Sequence, residues 1–296
     1  MKDNIIVKKN EFLKFSYSLT INEQRLLLAC ISQIDSRNKL LKEDSFEVSV
    51  QEIKDLFCLG YSNQIYGDLK AACDRLWVRE IVTQDGNVTT KLRWVYKIVY
   101  DDGNSTIKLN FSPDVIPYLS EITERFTRYK LNDVKDFKCT HSLRIYELFA
   151  QYQCVGSVSY DVDELREMLE LNDKYLLYFE FKRNVIERAI SEINTYSNLT
   201  VTYIEKRRGR KVITIQFAFK TKSKPITPAK VKALTKPTDK EEFDALVNEI
   251  ANSRKRFGMA INETNVPENV ILEEGVPPIG AHLFLATKEK FFVDIS

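Results

Sequence analysis

The sequence predicts an α+β protein made of two tandem winged-helix (winged helix-turn-helix) domains and a C-terminal appendix. The main observation is an internal repeat: VQEIKDLF at residues 50–57 returns 112 positions later, at residues 162–169, as VDELREML. Each copy has the same predicted order of a helix, a short strand, the repeated helix, a turn, a longer helix and a β-hairpin. This is the order of a winged helix, and a tandem pair is typical of a protein that binds two adjacent stretches of duplex DNA.

The first domain is predicted to span residues 1–130. It starts with an edge strand at residues 5–8, and Thr20 with Glu23 forms a capping box for a buried helix over residues 24–31. The next elements are a strand at 46–50, a helix at 51–57, a turn at 60–63 with Ser62 or Asn63 as the cap, and a longer helix ending near Leu76.

Two β-hairpins are predicted after the longer helix. Asp85-Gly86 marks the turn of the first hairpin. The second joins residues 94–100 to residues 106–111, and we predict that it has no counterpart in the second copy. Helical spacing over residues 119–131 then leads to a domain boundary near residue 130.

The second domain is predicted to span residues 131–222, and residues 223–296 form a linker and a small C-terminal region of unknown role. The linker composition, rich in Lys, Thr and Pro, extends to residue 239. The predicted elements are helices at 142–153, 163–170, 179–196 and 241–257, a strand at 158–162, and a hairpin of strands at 199–204 and 212–219.

Composition is that of a globular, multidomain protein, and we expect it in the cytosol. The 296 residues, 44% of them hydrophobic, suffice for about two compact domains. The amino terminus lacks the apolar core of a signal peptide and no apolar run is long enough to span a bilayer, so no membrane association is expected. The five cysteines include no Cys-x-x-Cys pair, which favours reduced structural thiols.

Positive charge is concentrated in one part of the second domain. Residues 182–224 hold 11 lysines and arginines against 3 acidic residues, whereas residues 1–181 hold 24 against 28. Such a concentration is expected where phosphates are bound, because Lys and Arg displace condensed counterions from DNA. Its centre is the turn of the last hairpin, the predicted wing, whose basic residues flank Gly209: Lys206, Arg207, Arg208, Arg210 and Lys211.

The helix before this wing supplies the candidates for base recognition. A helix in the major groove reads base edges with side chains from its first turns. Lys182 and Arg183 lie off the apolar face of this helix, and Tyr178 is a further candidate. Such residues are also found on ordinary solvated faces, and a basic wing alone would suit a membrane surface or RNA. The wing directly following an amphipathic helix favours duplex DNA.

The matching helix of the first domain offers weaker candidates. These polar side chains would read bases or contact phosphates: Asn63, Gln64, Tyr66 and Lys70. Arg25 and Arg144 occupy similar places in the leading helices of the two copies, but either could equally pair with a local carboxylate. Neither identifies a base contact.

The sequence gives no support for an enzyme. His141 and His282 are the only histidines, so neither a histidine metal cluster nor the His-x-His pair of a nicking enzyme can be assembled from nearby sequence. There is no Gly-x-x-x-x-Gly-Lys-Ser/Thr phosphate loop, which argues against an ATP-driven helicase. We therefore expect no cofactor and no metal ion.

Several segments resemble the Rep_3 (RepB/RepE-type) family of iteron-binding plasmid replication initiators. The resemblance covers about residues 4–220 and is strongest in FKRNVIERAISEIN at 181–194 and KRRGRKVI at 206–213, with looser matches at 4–10 and 23–28. It implies binding to direct repeats, or iterons, in the duplex DNA of a plasmid origin, help in opening that origin, and recruitment of the host replicative helicase and chromosomal initiator. It also implies a homodimer that represses its own gene and exchanges with monomers, with the hairpin at 92–111 contributing to dimerisation.

A winged-helix transcription regulator without initiator activity is the alternative. It would share the DNA chemistry but normally lacks the duplicated module, whereas a nicking or priming enzyme would need catalytic groups that the sequence does not show. A footprint distinguishes the two binding proteins, since direct repeats favour an initiator and one inverted repeat favours a regulator.

Overall fold

The structure is a computed structural model that describes residues 4–60 and 64–222, much of residues 240–248, and three short strands beyond residue 269. The chain divides into two compact units, residues 1–143 with 168–170 and residues 144–167 with 171–296. The division falls within the helix Thr140–Gln151, further along the chain than residue 130.

The leading helix of the first unit is anchored by a buried carboxylate. The Thr20 hydroxyl accepts from the Glu23 backbone N–H, and the Glu23 carboxylate accepts from the Thr20 N–H at 2.9 Å, which confirms the predicted capping box. Glu23 is fully buried, and its two oxygens lie 2.9 Å from Arg75, within a later helix, and 3.2 Å from Arg79, the residue that follows that helix. These ion pairs compensate the cost of removing the carboxylate from water. The elements of the unit are β1 (Ile5–Lys9), α1 (Asn10–Leu13), α2 (Ile21–Ile31), β2 (Phe46–Ser49), α3 (Val50–Phe57), α4 (Ile65–Val78), β3 (Glu80–Asp85), β4 (Val88–Arg93), β5 (Val95–Asp101), β6 (Thr106–Phe111) and β7 (Phe126–Lys130).

The predicted helix-turn-helix of the first unit is present as α3 and α4. A second capping box, formed by Ser49 and Glu52, starts α3, and Cys58 ends it in the left-handed conformation. Helix α4 begins after Gln64, whose side chain makes no capping hydrogen bond. The predicted caps Ser62 and Asn63 lie outside the described residues.

Strand pairing corrects the prediction about the hairpins of the first unit. Strand β6 pairs with both β2 and β5, giving the order β2-β6-β5. The second unit has the equivalent order β8-β10-β9, where β8 is Ser157–Asp161, β9 is Leu199–Arg208 and β10 is Lys211–Thr221. The hairpin β5–β6 is therefore the wing of the first unit, and the prediction that it has no counterpart was wrong. The unmatched hairpin is β3–β4, whose turn contains Gly86 with a φ of 56°. The prediction failed because a sequence shows the order of strands but not which strands pair.

The predicted helical stretch at residues 119–131 was also wrong. Residues Phe126–Lys130 form β7, which pairs antiparallel with β1. Their side chains alternate between buried and exposed positions, the period of a strand and not of a helix. Glu121 and Arg125 have a φ of 51°, which is incompatible with a continuous right-handed helix.

The second unit repeats the winged-helix order with a longer third helix. This long helix, residues 178–196, consists of α7, a π-helical segment Lys182–Glu187, and α8. Its extent confirms the predicted helix at 179–196, although the π-helical turn is not visible in the sequence. The elements of the unit are α5 (Thr140–Gln151), β8 (Ser157–Asp161), α6 (Val162–Met168), α7 (Tyr178–Phe181), α8 (Arg188–Tyr196), β9 (Leu199–Arg208) and β10 (Lys211–Thr221).

Two buried polar side chains fix the ends of the long helix. Arg166 donates to the backbone carbonyls of Lys174 and Tyr175 and lies 4.4 Å from the centre of the Phe181 ring, which holds the turn between α6 and the long helix. At the other end, buried Asn194 accepts from the Val201 N–H at 2.6 Å and donates to the Val201 carbonyl at 2.9 Å. The direction of the long helix relative to β9 is thereby set.

The C-terminal region contributes one helical contact and one small sheet to the described structure. Described residues within 240–248 are helical, and Phe243 and Val247 pack on Ala218 and Ile204 of the second unit. The strands β11 (Val270–Leu272), β12 (Leu283–Ala286) and β13 (Lys290–Val293) form an antiparallel sheet. In the described part of the chain, no helix combines the length and apolar character needed to cross a membrane.

Candidate nucleic-acid interface

The basic wing is the tight hairpin between β9 and β10. Arg208 pairs with Lys211 in the strand register, so Gly209 and Arg210 form a two-residue turn. Gly209 has a φ of +60°, a conformation that glycine adopts without the steric cost paid by other residues. Arg207, Arg208, Arg210 and Lys211 are exposed on this turn, as predicted for a wing.

A buried carboxylate ties the wing to the long helix. Glu205, with a side chain only 7% exposed, has its Oε1 atom 2.8 Å from Lys182 Nζ and its Oε2 atom 2.9 Å from an Arg207 guanidinium nitrogen. Burial raises the pKa of Glu205, but hydrogen bonds from Lys182 and Arg207 outweigh it, and the pKa is lowered overall. Glu205 is therefore ionised at neutral pH and holds Lys182, so this predicted base reader is engaged in an ion pair.

Arg183 lies beside Lys182 in sequence but in a different environment. It is exposed, and its guanidinium carbon is 5.3 Å from the centre of the Phe179 ring, one helical turn earlier. The ring restrains the arginine without using its hydrogen-bond donors. Of the two predicted base readers, Arg183 is therefore the one whose planar guanidinium can offer its hydrogen-bond donors to a ligand.

The remaining wing cations differ in their surroundings. Lys211 Nζ lies 3.3 Å from Asp163 Oδ2 at the start of α6. Burial, with the nearby charge of Lys240, lowers the pKa of Lys206. Within the described residues, Arg208 and Arg210 have no ion pair, so their charge is the most available to a polyanion.

In the first unit, two predicted DNA contacts on α4 bind an acidic residue of that unit's own wing. Tyr66 donates from its hydroxyl to Asp102 Oδ1 at 2.8 Å, and Lys70 Nζ lies 2.9 Å from the same oxygen. Burial and the bond to Asp102 raise the pKa of Tyr66 to about 12, and the hydrogen bond from Lys70 lowers the pKa of Asp102. Two predicted DNA contacts thus share one carboxylate, which we call the Asp102 clasp. Gln64 is exposed beside them, and Asn63 lies outside the described residues.

Each arginine of the leading helices contacts residues close to it. Arg144 is 4% exposed and lies 3.6 Å from the buried carboxylate of Glu147. Arg25 donates to the Asn22 side chain at 3.3 Å and lies over the Phe57 ring. Both therefore have local structural partners.

Sequence reasoning missed Glu205, Asp102 and Phe179. Glu205 immediately precedes the basic run, and Asp102 lies in a predicted turn, so acidic residues beside candidate cations were the available signal. Phe179 is 64% exposed, but no sequence pattern distinguishes this phenylalanine from one in the core. In the described parts of the chain, no group of three or more His, Cys, Asp or Glu residues could hold a metal ion.

Comparisons with known proteins agree with the duplicated winged-helix fold. A family described as "Initiator Replication protein, WH1" matches residues 5–150, and one described as "Initiator Rep protein, WH2" matches residues 161–219. A "Replication initiation protein" of Escherichia coli is 25% identical over 224 residues, which cover 73% of this chain and 70% of that protein. An "Uncharacterized 27.6 kDa protein" of Escherichia coli is 22% identical over 229 residues, covering 71% of this chain and 93% of that protein.

A solved structure supports the same architecture. The Pi initiator protein, determined in complex with iteron DNA, is similar with a TM-score of 0.64 and 22% identity, covering 76% of this chain and 100% of that chain. At this identity the likeness establishes the fold. The two family matches together cover most of the present sequence. The chain therefore belongs to the Rep_3 family of replication initiator proteins, with two tandem winged-helix domains.

Proposed function

We propose that this chain is a plasmid replication initiator that binds directly repeated sequences, or iterons, in the duplex DNA of its origin. The observation that carries the proposal is the ion pair between Lys182 of the long helix and Glu205 of the strand that leads into the wing, with Arg183, Arg208 and Arg210 exposed on these two elements. Glu205 connects the two elements, so the second unit offers both a helix for the major groove and cations for the phosphates.

The proposed contacts divide by type. Arg183 reads a base edge, since an exposed guanidinium is suited to the two acceptors of guanine. Lys182 orients the surface through Glu205 and adds positive potential. The wing residues contact phosphates: Lys206, Arg207, Arg208, Arg210 and Lys211. In the first unit, the weaker contacts are Asn63, Gln64, Tyr66 and Lys70, the last two after release from the Asp102 clasp.

The family and the duplicated fold extend the proposal to assembly. Several copies bound to adjacent repeats would stress a flexible flanking duplex, at a deformation cost of order 1 to 6 kcal/mol per site, and so help to open the origin. The opened origin would receive the host replicative helicase and chromosomal initiator in the bacterial cytoplasm. A homodimer, exchanging with the initiating monomer, would repress the protein's own gene. No ATP, metal ion or other cofactor is needed for binding.

Salt dependence of binding tests the assignment of the wing. The variant with Arg207, Arg208 and Arg210 all changed to Ala should bind specific and random duplex more weakly, with a log-log salt slope smaller by up to about 0.9 for each phosphate that is no longer neutralised. Lys39→Ala, an exposed cation of the first unit outside both wings, serves as the control. An unchanged slope in the triple variant would refute the wing assignment.

A further inference from the structure

Three large apolar side chains are exposed at the start of the long helix. Leu176, Leu177 and Phe179 have 75%, 66% and 64% of their surface in water. By contrast, Phe181 in the same turn is fully buried, as are Val185 and Ile186. The exposed residues therefore lie outside the core, and their presence next to a cationic surface indicates a ligand that is both apolar and anionic.

The ring of Phe179 lies against the proposed base-reading arginine. The two side chains are separated by four positions and share one face of the helix, with the guanidinium 5.3 Å from the ring centre. Leu177 has an extended backbone and directly precedes the first helical residue. Phe179 thus occupies the first turn of the helix, the region from which side chains reach base edges in the major groove.

Duplex DNA offers one apolar group at this position, the C5-methyl group of thymine. The methyl projects into the major groove, where it is contacted by small apolar or aromatic side chains. The surrounding charge is complementary to DNA, because residues 182–224 hold 11 basic residues against 3 acidic ones. A protein partner with an apolar face would have to approach the same cationic surface, so the charge favours DNA.

We infer that Phe179 is a specificity-determining residue that contacts the C5-methyl group of a thymine next to the base pair read by Arg183. The inference rests on the proposed function and adds the identity of a base. Loss of the methyl exposes the ring to water, and the buried area of one methyl group corresponds to about a three- to fivefold change in affinity.

The test uses a duplex selected from a random pool by the full chain. Each thymine is replaced in turn by deoxyuridine, which removes only the methyl group. For the wild-type protein, one substitution next to the Arg183-dependent base pair should weaken binding about three- to fivefold. For Phe179→Ala, the same substitution should have no effect, whereas Phe179→Leu should retain part of it. Tyr196→Ala removes another exposed aromatic side chain, 42% exposed at the end of the same helix, and should behave as wild type.

Three results would overturn the inference. The first is specific binding by the wild-type protein that no deoxyuridine weakens, and the second is equal sensitivity of Phe179→Ala and wild type. The third is a self-association of the wild-type chain, measured by sedimentation, that Phe179→Ala abolishes while DNA specificity persists, because the patch would then bind a second copy. In these cases the proposed function survives, since specific binding is retained. Failure to select any preferred duplex would instead refute the proposed function and this inference with it.

Discussion

At the scale of residues, adjacent cations of the long helix have different tasks. Lys182 is 2.8 Å from Glu205, whereas Arg183 is exposed and lies over the ring of Phe179. The sequence predicts both as outward-facing candidates but gives no reason to separate them. Their different roles depend on the carboxylate of Glu205, 23 positions after Lys182, and helical periodicity does not predict this contact.

Arg183→Ala should weaken binding to the selected duplex by about 1 to 3 kcal/mol if the guanidinium makes a bidentate base contact. Binding to random duplex should change much less, and the fold should survive because Arg183 lies off the apolar face. Fluorescence anisotropy on both duplexes measures this difference. Equal losses on the two duplexes would show that Arg183 contacts only phosphate.

Glu205→Gln should destabilise the second unit on the order of 1 to 3 kcal/mol at neutral pH, since Lys182 loses its charged partner in a largely buried ion pair. The pKa of Glu205 is lowered in the folded protein, so its contribution is present above the ordinary carboxyl pKa and is lost as pH falls through the lowered value. The difference between variant and wild type in urea unfolding should therefore shrink in acid. A difference that is the same at neutral and acidic pH would contradict this role.

At the scale of elements, the sequence predicts what local chemistry determines. The capping box at Thr20 and the turn at Gly86 appear as expected, because each depends on residues within one or two turns of chain. The assignment of the first wing failed because β6 reaches across the chain to pair with β2. The Asp102 clasp was equally hidden, since its hydrogen bonds span 32 and 36 positions.

The Asp102 clasp leads to a prediction about the first wing. Asp102→Asn removes a negative charge and weakens the hold on Lys70, so random duplex should bind more tightly, with a salt slope steeper by about one unit. Asp101→Asn is the matched control: it removes the same charge from the same turn, but Asp101 bonds to Asn104 and not to Lys70. Identical binding by both variants would mean that Lys70 makes no contact with DNA.

At the scale of the whole molecule, the duplication explains why one chain would need a long or repeated site. Each unit contains the helix-turn-helix order and a wing, yet only the second unit has a basic wing, since the first carries Asp101 and Asp102 at its turn. The second unit would then supply most of the affinity.

The protein should not cut DNA. With two histidines in the sequence and no phosphate loop, no recognisable apparatus for strand transfer or nucleotide hydrolysis is present. We expect supercoiled origin DNA incubated with the protein and magnesium to remain supercoiled, without a protein-linked strand. Any of the 14 tyrosines could in principle attack a phosphodiester, so relaxed circles or a covalent adduct would overturn this expectation.

The most direct measurement of the central claim is a footprint of the full chain on the DNA that flanks its own gene. Recognition by tandem winged helices of an initiator predicts several protected sites in direct repeat, each abolished when Arg183 is changed to Ala and each weakened by the triple wing variant. Protection of one inverted repeat and no direct repeats would contradict the claim and identify a transcription regulator of the same fold.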